Sequence, residues 1–593
     1  MKFPYGISDF YKIMTEGYFY IDRTEHIRRI EAAGSQLLFL RPRRFGKSLL
    51  LSMLENYYDL AKADEFERLF GHLAIGQNPT PRRNQYFVLS WDFSAVSPQG
   101  EAREIEQALH RYLNGRIHNF AVNYQHLLPT EIRIEPVDAL ASFQSLLTAV
   151  QQTPHRLYLL IDEYDNFANE VMMGSRQSDQ SRYKALLYGE GALKVLFKAI
   201  KSASAGRGLD RVFITGVAPV VLSDLTSGYN VAKSIYLRPE FHDLCGFWEA
   251  EVQETLRQTA AECRLSPEQA DEALGMIRTF YNGYCFATDQ AALIYNPTLV
   301  LYFMEHFQAT CQYPEEMLDE NLAMDRGKIT YISQLPNGEQ LILDALNEAR
   351  PISIQRLAHR FGVEEMVYAA KDNTFMASLL YYFGVLTFGG RSPLGKQILQ
   401  IPNLVVRKLY LERMQEMLLP DFDKDEALQA AETFYSTGDL QPVCDFVEGR
   451  YFKVFDNRDY RWANELTIKT AFLTLLFNDL FYLVDSETAL ARDYADLTLI
   501  LRPEMRRYRL LDLLLEFKYV GLPEVGLTRA EVQRLSPAQV QTLLPVQQKL
   551  AESQAKLAGY RTILEATYGE ILRLHCYSVV AVGFERLVWV EVK

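Results

Sequence analysis

The stretch Leu-Leu-Phe-Leu-Arg-Pro-Arg-Arg-Phe-Gly-Lys-Ser, at residues 37–48, sets the fold of the first part of this chain. Its apolar start predicts a buried strand, and the amphipathic pattern over residues 48–59 predicts a helix directly after the turn. Phosphate-binding loops are built in this order, because the N–H groups of a tight turn and of a helix N-terminus then face an anion. The sequence therefore predicts a nucleotide site, although Arg41 stands where the motif GxxxxGK[ST] has its first glycine.

The predicted loop gives each of its residues a role. Lys47 would reach the β- and γ-phosphates of the nucleotide, and the Ser48 hydroxyl would bind Mg²⁺. The backbone of Arg44, Phe45 and Gly46 would cradle the phosphates. For this segment taken alone, an arginine-rich turn that merely precedes a helix is the alternative.

Two further apolar runs end in polar residues. The run 157–161 is followed by Asp162 and Glu163, as in a Walker B strand, where Asp162 would hold Mg²⁺ through water and Glu163 would polarise the attacking water. The run 211–214 is followed by Thr215, which would sense the γ-phosphate, position the water or only cap a turn. A phosphate loop and a Walker B strand in this order predict an ATPase that uses ATP and Mg²⁺. Four arginines are candidates for an arginine finger, and the sequence does not choose among them: Arg43, Arg44, Arg207 and Arg211.

Four segments differ in their patterns. Residues 1–235 alternate strands with helices, which predicts a parallel sheet covered on both faces. Residues 236–420 are mostly helical and include a winged-helix-like unit, with a helix-turn-helix opening at 352–363 and a β-hairpin at 384–401. Such a unit would bind DNA or serve as a packing lid on the ATPase. Residues 421–463 predict a helical connector, and residues 464–593 predict a separate α/β domain.

The last segment carries charged residues inside apolar strands. Asp496 lies in one predicted strand, and Glu516 and Lys518 lie two positions apart in the next, so that they point to one face of the sheet. Hairpin pairing would bring Asp496 beside them. Metal-dependent phosphodiester cleavage uses clustered carboxylates to hold Mg²⁺, or Mn²⁺, and gains from a lysine that orients water. A salt-bridged group in the protein core is the alternative.

Two other acidic residues would complete the metal shell. Glu465 begins the preceding helix, where the helix dipole alone would also favour a carboxylate. Glu487 lies on the preceding predicted strand. On the later helix, Gln554 and Tyr560 would face the site. The alternative for Gln554 is exposure to solvent, and the alternative for Tyr560 is packing in the core.

The composition restricts the class of protein. The net charge of −13 argues against a broad basic surface but permits a local basic groove for nucleic acid. Six cysteines include no CxxC pair, which argues against structural zinc and predicts free thiols in a reducing cytosol. No stretch of about 18 uncharged apolar residues is present, and the N-terminus lacks a signal-peptide pattern. These features predict a cytoplasmic protein that makes no membrane contact.

Taken together, these motifs resemble those of a bacterial family with an N-terminal AAA-ATPase-like domain and a C-terminal PD-(D/E)XK nuclease domain. The resemblance covers nearly the whole chain, and in this family too the arginine-rich loop lacks its first glycine. One departure is that such nuclease domains often have Gly-Arg where this chain has Asp493 and Tyr494. The matching segments are Pro4–Phe10, Tyr20–Thr24, Leu160–Asp165, Thr215–Val217, Tyr281–Tyr284 and Tyr295–Pro297.

The resemblance implies a multidomain α/β protein: a P-loop NTPase sheet, a winged-helix-like middle and a restriction-endonuclease-like C-terminal fold. It implies a nuclease site at Asp496, Glu516 and Lys518. We therefore expect an ATP-dependent or ATP-regulated, metal-dependent nuclease that acts on nucleic acid, DNA above RNA, in bacterial defence or genome maintenance. The alternative is an ATP-switched signalling or scaffold protein whose nuclease-like domain only binds nucleic acid or a partner. A homo-oligomer stays open.

Overall fold

The computed structural model describes the chain except residues 97–100, 167–190, 221–230, 289–291, 319–325, 348–350, 360, 362–370, 419–423, 454–464, 486–487, 491–492 and 593. The chain forms two compact units. The first comprises Met1–Tyr313, Tyr331–Gly338 and Ile352–Asn403. The second comprises Pro314–Thr330, Glu339–Pro351 and Leu404–Lys593. The division into four segments expected from the sequence stays a prediction.

The first unit contains a parallel sheet, as the alternating pattern predicts. Its strands within the described residues follow the order β2-β3-β4-β1-β5, and every pair is parallel. The P-loop strand β1 and the Walker B strand β3 thus both border β4. Their shared direction brings the carboxyl ends of all three strands to one edge of the sheet. The strands are β1 (Gln36–Leu40), β2 (Tyr86–Asp92), β3 (Arg156–Asp162), β4 (Leu209–Gly216) and β5 (Lys233–Ser234).

Helices cover this sheet and continue into the middle of the chain. Those between the sheet strands begin close to where the apolar periodicity predicts them, as with Lys47–Tyr58 and Ala139–Gln151. The other described helices up to residue 345 are Phe10–Thr15, His26–Ala33, Phe66–Phe70, Ala74–Gln77, Ala102–Asn123, Ala192–Ala203, Glu249–Glu262, Pro267–Tyr281, Pro297–Thr310, Arg326–Ser333 and Gly338–Ala345.

The winged-helix-like part differs from the prediction at its start. Residues 352–354 form strand β6 (Ile352–Ile354), not a helix, because Ile-Ser-Ile alternates buried and exposed side chains along an antiparallel partner. The predicted hairpin is present as β7 (Thr387–Arg391) and β8 (Gln397–Gln400). Helix Asn373–Phe383 precedes it, and every side chain from Phe375 to Phe383 is buried. A helix buried in this way has no free face with which to enter a DNA groove.

The second unit has a mixed sheet with the order β15-β14-β13-β12-β9. Strands β13 and β14 are parallel, and the other neighbouring pairs are antiparallel. The strands are β9 (Tyr482–Asp485), β12 (Leu497–Leu501), β13 (Asp512–Val520), β14 (Leu574–Val582) and β15 (Arg586–Val592), with a separate short pair β10 (Thr488–Leu490) and β11 (Asp493–Ala495). The described helices from residue 404 are Leu404–Leu418, Lys424–Thr437, Gln441–Phe446, Glu465–Leu476, Leu522–Val525, Arg529–Arg534, Pro537–Gln541 and Leu544–Tyr568.

Helix Leu544–Tyr568 covers the centre of this mixed sheet. Its buried side chains recur every three or four positions, which places them on one face: Val546, Leu550, Ser553, Leu557, Tyr560 and Leu564. They pack against apolar residues of β13, β14 and β15. Full burial of each large side chain stabilises the fold by about 2 kcal/mol. The polar face of the same helix is left for other contacts.

The cysteines correct one expectation. Free thiols are wrong for Cys263 and Cys311, which form a disulfide with their Cα atoms 5.5 Å apart. Cys263 follows helix Glu249–Glu262 and Cys311 follows helix Pro297–Thr310, so the packing of two helix ends brings them together across a separation of 48 residues. The other cysteines are buried and are not in a disulfide: Cys245, Cys285, Cys444 and Cys576.

In the described ranges, no helix combines the length and the apolar character that crossing a membrane requires.

Candidate functional sites

The predicted phosphate loop has the backbone that such loops need. Gly46 adopts the left-handed conformation, with φ of 86°, immediately before helix Lys47–Tyr58 begins, and Arg44 has φ of 65°. The Lys47 side chain is buried, and its Nζ donates to the Pro42 carbonyl oxygen at 3.0 Å. Burial lowers the pKa of Lys47, an effect that the charges of Asp162 and Glu163 only partly offset. The ammonium thus lies folded into the loop.

Three predicted ligands meet at the carboxyl edge of the sheet. Ser48 Oγ donates to Asp162 Oδ2 at 2.5 Å, and Thr215 Oγ1 donates to the other oxygen, Oδ1. Ser48 is the second residue of the helix after β1, while Asp162 ends β3 and Thr215 lies near the end of β4. Side chains from three elements therefore converge here, and a serine of the loop with an aspartate at the end of a neighbouring strand is the pair that holds a nucleotide-bound Mg²⁺ in P-loop NTPases.

Glu163 follows directly and has an unusual backbone. Its φ of 48° lies in the left-handed region, which disfavours residues other than glycine and is often found at functional sites. Its N–H donates to Asp162 Oδ1 at 3.0 Å. Burial raises the pKa of Glu163, Lys47 opposes the shift and Asp162 adds to it. The carboxylate is thus partly desolvated beside the loop.

Asp165 is a residue whose role the sequence did not indicate. Its carboxylate is almost fully buried and accepts hydrogen bonds from Val217 N–H at 3.1 Å and Ala218 N–H at 2.7 Å. Nearby, the Tyr164 hydroxyl donates to the Ala218 carbonyl oxygen at 2.6 Å. These bonds join the segment after β3 to the segment after β4. Thr215 lies in β4, one residue before that strand ends. The only sequence signal was the third acidic residue of the segment Leu160–Asp165.

Arg41, which replaces the first glycine, turns away from the phosphate side. Its guanidinium is buried and donates to the carbonyl oxygens of Leu40, Tyr236 and Phe241 at 2.7 to 2.8 Å. It also lies over the Phe286 ring. Burial lowers its pKa to about 10. Arg41 is therefore a structural residue that binds backbone carbonyls beneath the loop.

Aromatic residues support the loop from the same unit. Phe45 is 1% exposed and packs edge-on against Tyr284 and Phe286, with ring centroids 4.8 and 5.2 Å away. The Thr298 hydroxyl donates to the Arg44 carbonyl oxygen at 2.7 Å. Of Phe45, only the backbone is left to face a nucleotide. The segments Tyr281–Tyr284 and Tyr295–Pro297, which had no assigned chemistry, lie beside the loop.

Two of the four arginine-finger candidates lie at the far end of the sheet. Arg211 is the third residue of β4, is 3% exposed and donates to the Gly34 carbonyl oxygen, whereas Thr215 lies near the other end of the same strand. Arg207 is exposed just before that strand. Neither reaches the carboxyl edge of its own sheet, so within the chain Arg43 and Arg44 are the candidates near the site.

The second candidate site lies in the mixed sheet. Strands β12 and β13 pair Leu497 with Leu515, so one further step of the register sets Asp496 opposite Glu516. Asp496 Oδ2 accepts a hydrogen bond from the Phe517 N–H at 2.8 Å. Lys518 Nζ donates to Glu516 Oε1 at 3.1 Å and to Glu465 Oε1 at 3.2 Å. The residues Asp496, Glu516, Lys518 and Glu465 thus come together, while Glu487 lies outside the described residues.

Burial and mutual charge shift the titration of this group. Glu516 is 1% exposed, and burial followed by the charge of Asp496 raises its pKa, while Lys518 and Lys556 oppose that shift. Burial alone would lower the pKa of Lys518. The charges of Glu516 and Glu465 outweigh that effect, so the pKa of the lysine is raised. Lys556 lies 3.2 Å from Glu516 Oε1 and was missed in the sequence, because its orientation depends on how the helix packs.

The donor set can be compared with the needs of Mg²⁺. In the part of the chain that the structure describes, no group of three or more His, Cys, Asp or Glu residues could hold a metal ion. Mg²⁺, however, is usually bound by one or two carboxylates together with water and substrate phosphates. Glu516 Oε2 is buried and has no hydrogen-bond partner among the described residues. Asp496 and Glu516 therefore fit as a two-carboxylate site.

Other residues near this site have structural roles. Tyr560 is 4% exposed and belongs to the core cluster of β13, β14 and the long helix, and Gln554 is half-buried on that helix. Arg502 is fully buried and donates to the carbonyl oxygens of Pro314 and Asp479 at 2.9 Å, so it is not free to contact a phosphate.

Comparisons with known proteins identify the class of the N-terminal region. Residues 4–226 match a family described as "Predicted AAA-ATPase". The N-terminal region of the chain is AAA-ATPase-like. An Azotobacter chroococcum protein, described as "Uncharacterized protein in vnfD 5'region", is 24% identical over 428 residues, 71% of each chain.

Two solved structures align with this chain at low TM-scores and low sequence identity. A Walker-type ATPase of Pyrococcus abyssi aligns with a TM-score of 0.39 and 14% identity, over 66% of this chain and 96% of the other. The ORC1 protein of Aeropyrum pernix, solved in complex with DNA, aligns with a TM-score of 0.25 and 11% identity, over 68% and 96%. At these scores the alignments do not establish a shared fold.

Proposed function

We propose that the chain is an ATP-dependent or ATP-regulated, metal-dependent nuclease that acts on DNA. The observation that carries the ATP half is the convergence of Ser48 and Thr215 on the Asp162 carboxylate. The observation that supports the nuclease half is the group formed by Asp496, Glu516 and Lys518. A role in bacterial defence or genome maintenance follows only from the resemblance of the motifs to that nuclease family.

In the ATPase site, each side chain has a distinct task. Lys47 leaves the Pro42 carbonyl and binds the β- and γ-phosphates, and the loop backbone at Gly46 receives their oxygens. Ser48 and Asp162 would hold Mg²⁺, which when bound would supply charge neutralisation at the phosphates. Glu163 orients the attacking water and accepts a proton from it. Partial desolvation makes the carboxylate a better proton acceptor.

In the nuclease site, the carboxylates and the lysine divide the work. Asp496 and Glu516 would hold Mg²⁺ or Mn²⁺, which when bound supplies charge neutralisation at the phosphate and a more acidic water. Lys518 stays protonated, because two carboxylates surround it, and therefore orients water or a phosphate oxygen by donating a hydrogen bond. Glu465 holds Lys518 in place and is a further metal-ligand candidate, as is Glu487.

The order of elements supports a restriction-endonuclease-like fold for this unit. A helix, Glu465–Leu476, precedes strands β9, β12 and β13, and helix Leu544–Tyr568 then leads to β14, which lies parallel to β13. Of the proposed catalytic residues, Asp496 directly precedes β12, and Glu516 and Lys518 lie on β13, the middle strand of the sheet. The mixed sheet alone would suit many functions, so the fold carries less weight than the charged group.

One observation favours a second function. Lys518 and Lys556 both lie within 3.2 Å of Glu516 Oε1, so the carboxylate is neutralised by protein cations alone. Such an ion-paired centre would be stable in an ATP-switched scaffold that binds nucleic acid or a partner without cutting it.

Separate mutations distinguish these functions. Glu516→Ala or Lys518→Ala should abolish DNA cleavage and leave ATP hydrolysis largely intact, since their site lies in the other unit. Glu591→Ala, at an exposed residue of β15 in the same sheet, is the control and should cut as the wild type does. Cleavage by Glu516→Ala at the wild-type rate would refute the nuclease site.

A further inference from the structure

Two lysines serve the Glu516 carboxylate, and they differ in exposure. Lys518 Nζ lies 3.1 Å from Glu516 Oε1, and its side chain is 5% exposed. Lys556, on the polar face of helix Leu544–Tyr568, lies 3.2 Å from the same oxygen, and its side chain is 38% exposed. Only the second ammonium is therefore open to a molecule arriving from solvent.

The more exposed of the two ammonium groups also has more unused hydrogen-bond donors. An ammonium group has three donors. Lys518 uses all of them, on Glu516 and Glu465 and on the Phe517 carbonyl oxygen at 2.7 Å. Among the residues that the structure describes, Lys556 is paired with Glu516 alone. Lys556 thus keeps donors for a further acceptor.

The carboxylate between them is incompletely satisfied. Glu516 Oε1 accepts a hydrogen bond from Lys518 and forms an ion pair with Lys556, whereas the buried Oε2 has no hydrogen-bond partner within the described ranges. Burying an unpartnered carboxylate oxygen is costly, so this oxygen is suited to receive a cation or a hydrogen-bond donor. If Lys556 turned away toward a phosphate oxygen, Glu516 would still be paired with Lys518.

We propose that Lys556 binds a non-bridging phosphate oxygen of the DNA backbone beside the Asp496–Glu516 pair. It would be a substrate-binding residue of the nuclease site, and the assignment rests on the proposed function. The nearby Glu552 does not oppose such binding strongly, because Lys549 pairs with it at 2.8 Å. A flexible ammonium suits this task, since it contacts a phosphate as a point charge.

The test measures DNA affinity in the full-length protein without cleavage. Binding of a short fluorescein-labelled DNA duplex is followed by anisotropy in EDTA over a series of salt concentrations, for wild type, Lys556→Met and Lys556→Arg. The methionine keeps the apolar stem and removes the charge, and the arginine keeps the charge. Arg561→Met is the matched control, because Arg561 is on the same helix, is 31% exposed and pairs with Glu565 instead.

A single lost phosphate contact has a defined signature. Lys556→Met should reduce the slope of log affinity against log salt by about 0.9. Affinity at low salt should fall about tenfold, the size expected for one hydrogen bond to a charged group. Lys556→Arg should restore both values, and Arg561→Met should match wild type. In Mg²⁺, Lys556→Met should raise KM for cleavage by a similar factor.

The outcomes separate this inference from the nuclease proposal. A wild type that cuts DNA, with Lys556→Met equal to it in slope and KM, would overturn the role of Lys556 alone. A wild type that binds without cutting, with the slope reduced in Lys556→Met, would support the phosphate contact and refute the nuclease. A wild type that neither binds nor cuts would overturn both.

Discussion

Ser48 and Asp162 are 114 residues apart in the sequence, yet their side-chain oxygens lie 2.5 Å apart at the edge of the parallel sheet. The contact arises because β1 and β3 run in the same direction on either side of β4. The hydroxyl and the carboxylate that would share one Mg²⁺ are thus adjacent. This adjacency is the geometry on which the proposed ATP site depends.

Glu163→Gln should stop ATP hydrolysis and keep ATP binding. The amide has nearly the same shape but cannot accept the proton of the attacking water, so kcat should fall about a hundredfold or more. Phosphate release and the affinity for a fluorescent ATP analogue measure the two effects. Undiminished hydrolysis would show that Glu163 is not the residue that polarises water. If DNA cleavage also survived in a variant that no longer hydrolyses ATP, the nuclease would need nucleotide binding at most.

Asp165→Asn should weaken ATP hydrolysis without removing any group that touches the nucleotide. The new amide would direct an N–H against the Val217 and Ala218 N–H groups, or lose one of their bonds, at a cost of about 1–3 kcal/mol. Thr215 would then be less well positioned. Asp210→Asn is the control, since Asp210 only accepts the Tyr86 hydroxyl at 2.8 Å. Equal kcat values for the two variants would contradict the role of Asp165 as a positioning residue.

Gly384→Ala should disturb the phosphate loop from behind. A Cβ at this position would lie 2.6 Å from the Pro42 side chain, at a φ of +81°. Gly390 has a comparable φ of +107° but nothing within 4 Å of its Cβ position, so Gly390→Ala reports the backbone strain alone, about 1 kcal/mol. ATP affinity, measured by titration calorimetry, should fall in the first variant and not in the second. Equal affinities would mean that Pro42 yields without moving the loop.

How much the sequence revealed depended on the range of the interaction. The strands around Lys47 and Asp162 were predictable, because an apolar run followed by a polar residue is a local pattern. The approach of Asp496 to Glu516 was predictable too, since two apolar runs that follow each other in the sequence pair as neighbouring antiparallel strands. Local patterns of this kind were sufficient to predict most residues of both candidate sites.

Long-range packing explains what the sequence did not reveal. Nothing near Lys556 indicates that its helix turns it toward Glu516, and nothing near Cys263 indicates Cys311. In the sequence, Arg41 only marks a departure from the phosphate-loop motif. Its structural role depends on carbonyl oxygens of residues about 200 positions away. The strand at Ile352 was misjudged because three residues are too few to distinguish periods.

His242 should make the first unit less stable in mild acid. Its Nδ1 accepts the Phe286 N–H at 3.3 Å, and burial, with the Arg41 charge adding, lowers its pKa to about 4. The unfolded chain, with an ordinary pKa near 6.5, binds the proton more readily. This contribution is therefore complete above about pH 6.5 and is lost as the pH falls toward 4.

Between pH 7 and 5 the loss should be about 2 kcal/mol in the free energy of unfolding. Urea denaturation at the two pH values measures it in wild type and in His242→Gln, which keeps a polar group without titrating. The variant should show a flatter dependence on pH. An identical dependence in both proteins would mean that His242 is charged, or free to move, in the folded state.

The nuclease proposal is tested most directly by incubating circular plasmid and single-stranded DNA with the protein in Mg²⁺ or Mn²⁺, with and without ATP. Wild type and Asp496→Ala are compared, and ATP hydrolysis by the mutant shows that it is folded. We predict that wild type cuts, that ATP increases or licenses the cutting, and that Asp496→Ala cuts neither substrate. Cleavage by Asp496→Ala at the wild-type rate, or none by wild type under any of these conditions, would contradict the proposal.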